Sequence, residues 1–294
     1  MTTVINLPEM EWKPEKKPDF RKVKWKEFLA FEVFGVKIGV RSNDATIINR
    51  IKEGLPYLLP IDIKSISFEE INHCFSVYLT KRGSPRKIWL NKDDDEIIDF
   101  LYVKDKLDFL DSKIRLTVAE FAENFVFLHA GVVGYKGKAI LVPARSFSGK
   151  TTLVAELAKR GLDYYSDEYA VLDSKGLVHP FTKKLSIRGI IDDYQQVDID
   201  VEELGGKKGV EPLKVGVILI SKFKKKGKFN PKIVSSGEGI IESISNSVSI
   251  RQNPKFVLQV LSIITNEAKI IKTIRGEAAS FADKFLPFLE EIGY

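Results

Sequence analysis

The sequence has 294 residues, of which 44% are hydrophobic and 29% are charged, a composition typical of a folded protein with a large core. No stretch approaches the roughly 18 apolar residues of a membrane-spanning helix, and the N-terminus lacks the pattern of a secretory signal. Cys74, the single cysteine, cannot form an internal disulfide, so we expect a cytoplasmic protein. The formal charge of +6 suits anionic ligands but is too low for a dedicated nucleic-acid binder.

The first portion of the chain predicts a small α+β unit. Residues 28–41 (FLAFEVFGVKIGVR) are rich in Phe and Val around a glycine and predict two short strands or one bent strand. The segment SND at 42–44 can cap a helix that runs to about Leu55, where LPYLLP interrupts the pattern. Residues 72–90 predict a hairpin with KRGSPR as its turn. The acidic run DDDE at 93–96 is more typical of a helix N-terminus than of a metal site.

An amphipathic helix is predicted over 106–123, because apolar residues recur there at helical spacing: Leu107, Leu110, Ile114, Val118 and Phe121. The strand-like runs FVFLH, VVGY and KAILVP follow it. A helix then runs from Lys150 to Arg160 with Gly161 as its C-cap, and the strand DYYSD comes next. This order of strand, loop, helix and strand is a β-loop-α-β unit.

The C-terminal part continues the alternation of strands and helices. LKVGVILISKF predicts a buried strand, Asn253-Pro254 begins a helix that ends near Asn266, KIIKTI is a strand, and 277–291 form the last helix. GGKKG at 205–209 predicts a mobile loop. The basic stretch KFKKKGKFNPK at 222–232 predicts a solvated hairpin loop rather than a nucleic-acid contact.

A phosphate-binding loop is predicted over residues 144–151, which show a small residue, four residues of any kind and then Gly-Lys-Thr. Backbone N–H groups of such a loop converge on phosphate oxygens, and the positive end of the next helix faces the same anion. Lys150 supplies a cation for the outer phosphates, and Thr151 supplies a hydroxyl for Mg²⁺. Ala144 stands where the pattern usually has glycine, which weakens the match slightly. The predicted nucleotide-binding residues are Ala144, Arg145, Ser146, Phe147, Ser148, Gly149, Lys150, Thr151 and Thr152.

A metal-assisted phosphate site also needs carboxylates, and the strand after the loop ends in Asp167-Glu168. Adjacent carboxylates are costly in a core without a cation, but they suit a place beside a metal ion. A polar turn after a strand is the alternative interpretation. Arg251 and Arg275 lie near element boundaries further on. Surface salt bridges are the simpler interpretation for both, although an arginine there could stabilise charge on a γ-phosphate.

The segment from FLHAGVVGYKGKAILVPARSFSGKTT to DYYSDEYAVLD resembles the catalytic domain of HPr kinase/phosphorylase, in the PEP-carboxykinase-like group of P-loop proteins. That family has a histidine, a phosphate loop and an acidic pair in the same order. The resemblance covers about residues 125–192. It implies ATP- and Mg²⁺-dependent transfer of a phosphoryl group to a hydroxyl, and family members often assemble as homo-oligomers.

The resemblance also assigns roles to single residues. It implies that Asp167 acts on the attacking hydroxyl or phosphate and that Glu168 helps to hold the metal. Together with the loop hydroxyl, the predicted metal-binding residues are Thr151, Glu168 and Asp167. It places His129 near the transferred phosphate and, through LSIRG at 185–189, makes Arg188 a phosphate contact. The predicted catalytic residues are therefore Asp167, Lys150, His129 and Arg188.

The sequence departs from the family pattern at two places. Ser186 replaces a family glutamate, and Ser235 stands where the arginine of the family's Gly-Arg-Asn segment would fall. HPr is therefore a doubtful substrate, and the chain resembles a divergent member of the family.

We expect an α/β fold with a small α+β domain at 1–105 and an HPr-kinase-like P-loop domain at 106–294. The predicted donor is ATP or another nucleoside triphosphate, and the acceptor is a serine of a peptide or protein, or a small alcohol. Two alternatives stay open: a nucleotide-sensing module without turnover, and a phosphorylase or phosphatase acting on phosphoserine. A membrane partner is not expected.

Overall fold

The computed structural model describes residues 18–59, 62–80, 88–93, 103–144, 148–188 and 196–294. Within these ranges the chain forms six α-helices and sixteen strands, arranged in two large sheets and one two-stranded sheet, so its class is mixed α/β. In this described part, no helix has both the length and the apolar character needed to cross a membrane.

The first sheet has five strands in the order β3-β1-β2-β4-β5. Their bounds are β1 Glu27–Val33, β2 Val36–Ser42, β3 Lys64–Ser65, β4 His73–Leu79 and β5 Ile88–Lys92. β1 and β2 form a tight hairpin because Phe34 and Gly35 both have positive φ, 51° and 79°, as a two-residue hairpin turn requires. The two predicted short strands are confirmed, and so is the antiparallel pairing of β4 with β5, whose turn at 81–87 lies outside the described residues.

Helix α1 (Ala45–Leu58) begins where the sequence predicts, since the Asp44 side chain accepts a hydrogen bond from the N–H of Thr46. The interruption expected after Leu55 was wrong, because the helix continues through Pro56 and the N–H of Leu59 still bonds to the Leu55 carbonyl at 2.9 Å. Leu55 and Leu59 are both buried, and this burial favours the extra turn.

Of the acidic run at 93–96, only Asp93 lies within the described residues. Its carboxylate accepts hydrogen bonds from the backbone N–H of Cys74 and stands 3.1 Å from Nδ1 of His73. Asp93 therefore stabilises the start of β4 through these contacts.

The strands from residue 125 onward are β6 Phe125–Tyr135, β7 Lys138–Pro143, β8 Asp163–Ser166, β9 Tyr169–Asp173, β10 Leu177–His179, β11 Leu185–Arg188, β12 Gln196–Ile199, β13 Lys207–Lys208, β14 Leu213–Phe223, β15 Lys232–Val234 and β16 Lys269–Arg275. β11 and β12 pair with each other, and the other nine form the second sheet. The runs FVFLH and VVGY form one continuous strand, β6, where the sequence suggested separate runs.

The parallel part of the second sheet places three strand ends together. β14 pairs in parallel with β7 on one side and with β16 on the other. The carboxyl ends of these strands, at Pro143, Phe223 and Arg275, therefore meet at one edge of the sheet. In open α/β sheets this edge is where ligands bind.

Helices cover both faces of this sheet. They are α2 Val103–Phe121, α3 Lys150–Lys159, α4 Ser236–Ser245, α5 Pro254–Glu267 and α6 Ala278–Glu291. Side chains of β7 alternate between the faces: Ile140 and Val142 join the core with α3 and α6, whereas Ala139 and Leu141 join the core with α5. The predicted helix over 106–123 is confirmed as α2, and the Asn253-Pro254 start is confirmed for α5.

The basic segment 222–232 does not form the predicted hairpin loop. β15 follows it in the chain but pairs antiparallel with β16 rather than with β14. The segment therefore crosses the end of β16, where the Lys224 N–H bonds to the Arg275 carbonyl at 2.9 Å. A hairpin was expected because chain neighbours usually pair. Instead β16, which begins more than forty residues after the end of β14, lies between β14 and β15.

Candidate functional site

The predicted phosphate loop (residues 144–151) connects the end of β7 to the start of α3. Gly149 caps the helix in the left-handed conformation, with φ 78° and ψ 25°, which glycine adopts at little cost. Arg145, Ser146 and Phe147 lie outside the described residues. Thr152 is exposed on the first turn of the helix.

Lys150 is only 6% exposed, although it is the first residue of a helix beside the loop. Its ammonium donates a hydrogen bond to the Ala144 carbonyl at 2.8 Å, so the side chain folds back over the loop. Burial lowers the pKa of Lys150 to about 8, and the negative charges of Asp167 and Glu168 partly oppose this shift. The lysine therefore carries a poorly solvated charge within reach of the loop backbone.

Asp167 and Thr151 meet directly, as a site for a hydrated cation requires. The Thr151 hydroxyl donates to Oδ2 of Asp167 at 2.9 Å, and the Tyr164 hydroxyl lies 3.2 Å from Oδ1 of the same carboxylate. Burial raises the pKa of Tyr164 well above its ordinary value, so this phenol stays protonated and donates. The residue after β8 therefore lies at the N-terminus of α3.

Two basic residues that sequence reasoning missed approach the acidic pair. Arg115 of α2 places its Nε 3.2 Å from Oε2 of Glu168. The Lys183 ammonium lies 3.4 Å from Oδ1 of Asp167 and 3.7 Å from Oε2 of Glu168. These cations offset the charge of two carboxylates in a largely buried place. Lys183 lies two residues before the resemblance segment LSIRG, but nothing in the pattern of α2 marks Arg115.

His129, in β6, lies beside both the acidic pair and the loop. Its Nδ1 is 3.1 Å from the Glu168 carbonyl, and its backbone carbonyl accepts from the Ala144 N–H at 3.1 Å. Because a carbonyl only accepts hydrogen bonds, Nδ1 carries the ring hydrogen in the neutral form and Nε2 has the lone pair. Burial, and then the positive charge of Lys150, lower the pKa of His129, which keeps the ring neutral at pH 7.

The interpretation of Arg275 as part of a surface salt bridge required an exposed side chain, but Arg275 is buried. The side chain is 3% exposed, and its guanidinium donates to the Ser148 carbonyl of the predicted phosphate loop at 2.6 Å. Arg251, by contrast, is exposed in a short 3₁₀ helix. The surface interpretation is therefore wrong for Arg275.

Arg188 ends strand β11, where its backbone pairs with that of Gln196. Ser186 of β11 donates a hydrogen bond to Asp198 of the paired strand at 2.7 Å. A carboxylate is therefore present opposite this position, on β12 rather than on β11.

A cleft of about 900 Å³ opens where the carboxyl ends of β7, β14 and β16 meet. Ala144 and Ser148 border it on the loop side, and Phe223 and Ile274 form an apolar wall. Asn246 also lines it, and its backbone carbonyl accepts from the His129 N–H at 2.8 Å. The cleft also has three lysines in its lining: Lys222, Lys232 and Lys272. Its size and position suit a ligand that extends away from the loop.

The residues present fit a magnesium ion bound together with phosphates. Thr151 and Asp167 provide a hydroxyl and a carboxylate at one point beside Lys150, and Mg²⁺ commonly uses one or two protein oxygens plus phosphate and water. Glu168 is engaged by Arg115 and Lys183, so it fits less well as a direct ligand. In the described part of the chain, no cluster of three or more His, Cys, Asp and Glu residues could bind a metal by itself.

No protein-family model matches this chain, and comparison with curated proteins gives no significant match.

Proposed function

We propose that this protein is a kinase of the P-loop type, with a fold like that of HPr kinase, that transfers the γ-phosphoryl group of ATP to a hydroxyl in the presence of Mg²⁺. One observation carries the proposal: the Lys150 ammonium lies on the loop carbonyl of Ala144 while Thr151 and Asp167 are hydrogen-bonded at the start of the same helix. A lysine, a hydroxyl and a carboxylate at one helix N-terminus are the groups that bind an anion with its metal.

The roles of the residues follow from their positions. Lys150 would exchange the Ala144 carbonyl for a phosphate oxygen. Thr151 and Oδ2 of Asp167 would hold Mg²⁺, which neutralises charge on the phosphates when bound. The described backbone amides at the start of α3 would bind phosphate oxygens, and Arg188 would be a further phosphate contact.

Asp167 would accept the proton of the acceptor hydroxyl through Oδ1, where Tyr164 and Lys183 keep it oriented. The acceptor oxygen forms a bond to the γ-phosphorus as the bond from that phosphorus to the bridging oxygen of ADP breaks. His129, neutral at pH 7, would stand beside the transferred group. Most of the rate would come from positioning and from the charges of Lys150 and the metal. With ATP as donor, we place the protein in the cytoplasm, and nucleic acid has no role in the reaction.

The test is incubation with γ-labelled ATP, Mg²⁺ and a cell extract. Lys150→Ala should abolish transfer and ADP release, whereas Lys159→Ala, on the exposed side of the same helix, should leave both unchanged. Equal labelling by the wild type and Lys150→Ala would count against the kinase. Tight ATP binding without ADP release would favour a nucleotide-sensing module, and release of label from the product on adding inorganic phosphate would indicate the reverse activity.

A further inference from the structure

We propose that Arg275 is a positioning residue that aims the Gly149 amide into the predicted phosphate loop by holding the Ser148 carbonyl. This inference rests on the proposed function, because it names the residue that prepares the anion site of that kinase. Arg275 itself belongs to β16, more than a hundred residues after the loop.

Arg275 contacts the peptide unit between Ser148 and Gly149. The guanidinium of Arg275 donates to the Ser148 oxygen at 2.6 Å, a short charge-assisted hydrogen bond. In a planar trans peptide the C=O and the following N–H point in opposite directions. A carbonyl held toward Arg275 therefore turns the Gly149 N–H away from this cation, to the side on which a bound phosphate would accept from it.

Gly149 is matched to this contact in two ways. Its φ of 78° lies in the left-handed region, and a Cβ at this residue would stand 2.8 Å from a guanidinium nitrogen of Arg275. The planar guanidinium packs against the bare Cα. A side chain at residue 149 would push away the group that fixes the peptide.

Arg275 is held firmly enough to act as such a fixed point. Its neighbour across the parallel strands is Phe223, and the guanidinium carbon lies 5.4 Å from the centre of that ring. The Arg275 backbone carbonyl also accepts from the Lys224 N–H. Burial lowers the pKa of Arg275, but a guanidinium remains charged at neutral pH.

A purely structural salt bridge does not explain the arginine. Among the described residues it makes no ion pair within 4 Å, and its buried Nε has no hydrogen-bond partner there. A buried cation whose one described side-chain hydrogen bond goes to the loop backbone suits a role in positioning that backbone better than a role in joining two surfaces.

The experiment observes this peptide unit directly. The sequence has only two Ser-Gly pairs, Ser148-Gly149 and Ser236-Gly237, so labelling serine carbonyls with ¹³C and glycine amides with ¹⁵N gives two carbonyl-to-amide NMR correlations. In the wild type, inorganic tripolyphosphate with Mg²⁺ should shift the Gly149 signal and leave the Gly237 signal in place. The Gly237 signal is the internal control.

Arg275→Met and Arg275→Lys fill similar space but differ in charge and in their ability to donate. We expect Arg275→Met to weaken binding of Mg·ATP and of tripolyphosphate about ten- to a hundredfold, as expected for loss of a hydrogen bond to a charged group. It should also move the Ser148 carbonyl signal before ligand is added. Arg275→Lys should recover most of the affinity. Arg21→Gln, at an exposed arginine, should bind both ligands as the wild type does.

The outcomes separate this inference from the proposed function. If the wild type binds neither ligand, the kinase proposal fails and the inference fails with it. If the wild type binds both and Arg275→Met binds them equally, or loses affinity while the Ser148 and Gly149 signals stay unchanged, only the inference is overturned. Thermal unfolding reports whether Arg275→Met folds. If it does not, Arg275→Gln replaces it, because glutamine is two bonds too short to reach the carbonyl.

Discussion

Replacing Lys150 by methionine should stabilise the protein while abolishing nucleotide binding. The folded state holds the Lys150 ammonium in a buried place that lowers its pKa from 10.5 to about 8. A difference of about 2.5 units corresponds to about 3 kcal/mol at pH 7, at about 1.4 kcal/mol per unit. Methionine removes this penalty and keeps the apolar stem, but it leaves the Ala144 carbonyl without its donor, which costs about 1 kcal/mol. The expected net gain in the free energy of unfolding is about 2 kcal/mol.

The size of this effect should change with pH in a defined way. The pKa of Lys150 is lower in the folded than in the unfolded chain, so the unfolded chain binds more protons between about pH 8 and pH 10.5. Wild-type stability therefore rises relative to the methionine variant as pH rises through this window. The penalty falls to about 1 kcal/mol at pH 10, where the two proteins should be nearly equally stable.

Urea unfolding of the wild type, Lys150→Met and Lys159→Met at pH 7 and pH 10 measures both effects. Lys159 is exposed near the end of the same helix, so its variant should differ little from the wild type at either pH. A Lys150→Met protein that is no more stable than the wild type at pH 7, or whose advantage is the same at both pH values, would contradict the predicted cost of burying the Lys150 charge.

Three further predictions concern the same loop. Affinity for ATP should fall as pH rises above about 8, because the unliganded Lys150 loses its proton there, and calorimetric titration at pH 7 and pH 9 checks this; equal affinities would contradict a charged lysine in binding. Thr151→Val should raise the Mg²⁺ concentration needed for half-maximal ATP binding about tenfold or more, by removing a hydroxyl ligand, whereas Thr151→Ser should stay near the wild type. If the Thr151 hydroxyl only donates a hydrogen bond to Asp167 and does not bind the metal, Thr151→Val and the wild type should show the same Mg²⁺ dependence. Gly149→Ala should cost more unfolding free energy than Gly161→Ala, since both glycines have positive φ but only at 149 would the new Cβ meet another group, and about 1 kcal/mol of backbone strain is common to both. Equal melting temperatures for the two variants would show that the space beside Gly149 is open.

The local elements could be predicted because their causes are local. Asp44 and Asn253 cap their helices within a few residues, and apolar spacing alone defines α2. The meeting of Thr151 with Asp167 was also foreseeable, because the loop and the next strand end lie one helix apart in the chain.

The errors and omissions involve contacts between distant segments. β16 enters between β14 and β15 from far along the chain, which no hairpin pattern predicts. Arg115 reaches Glu168 across 53 residues, and Arg275 reaches Ser148 across 127. A charged side chain becomes buried and paired only once the sheets have packed. The residues next to it in the sequence therefore do not indicate which residue it will contact.

The central position of α2 has a consequence for how the chain can be divided. Leu110, Ile114 and Val118 of this helix lie in one continuous hydrophobic cluster with Phe31 of the first sheet and Phe127 of the second. A chain cut at residue 106 would keep every predicted catalytic residue, yet it would turn the first-sheet side of this cluster toward water. Such a truncated protein should aggregate during expression. A lack of activity in an assay would then reflect lost solubility rather than a missing catalytic group.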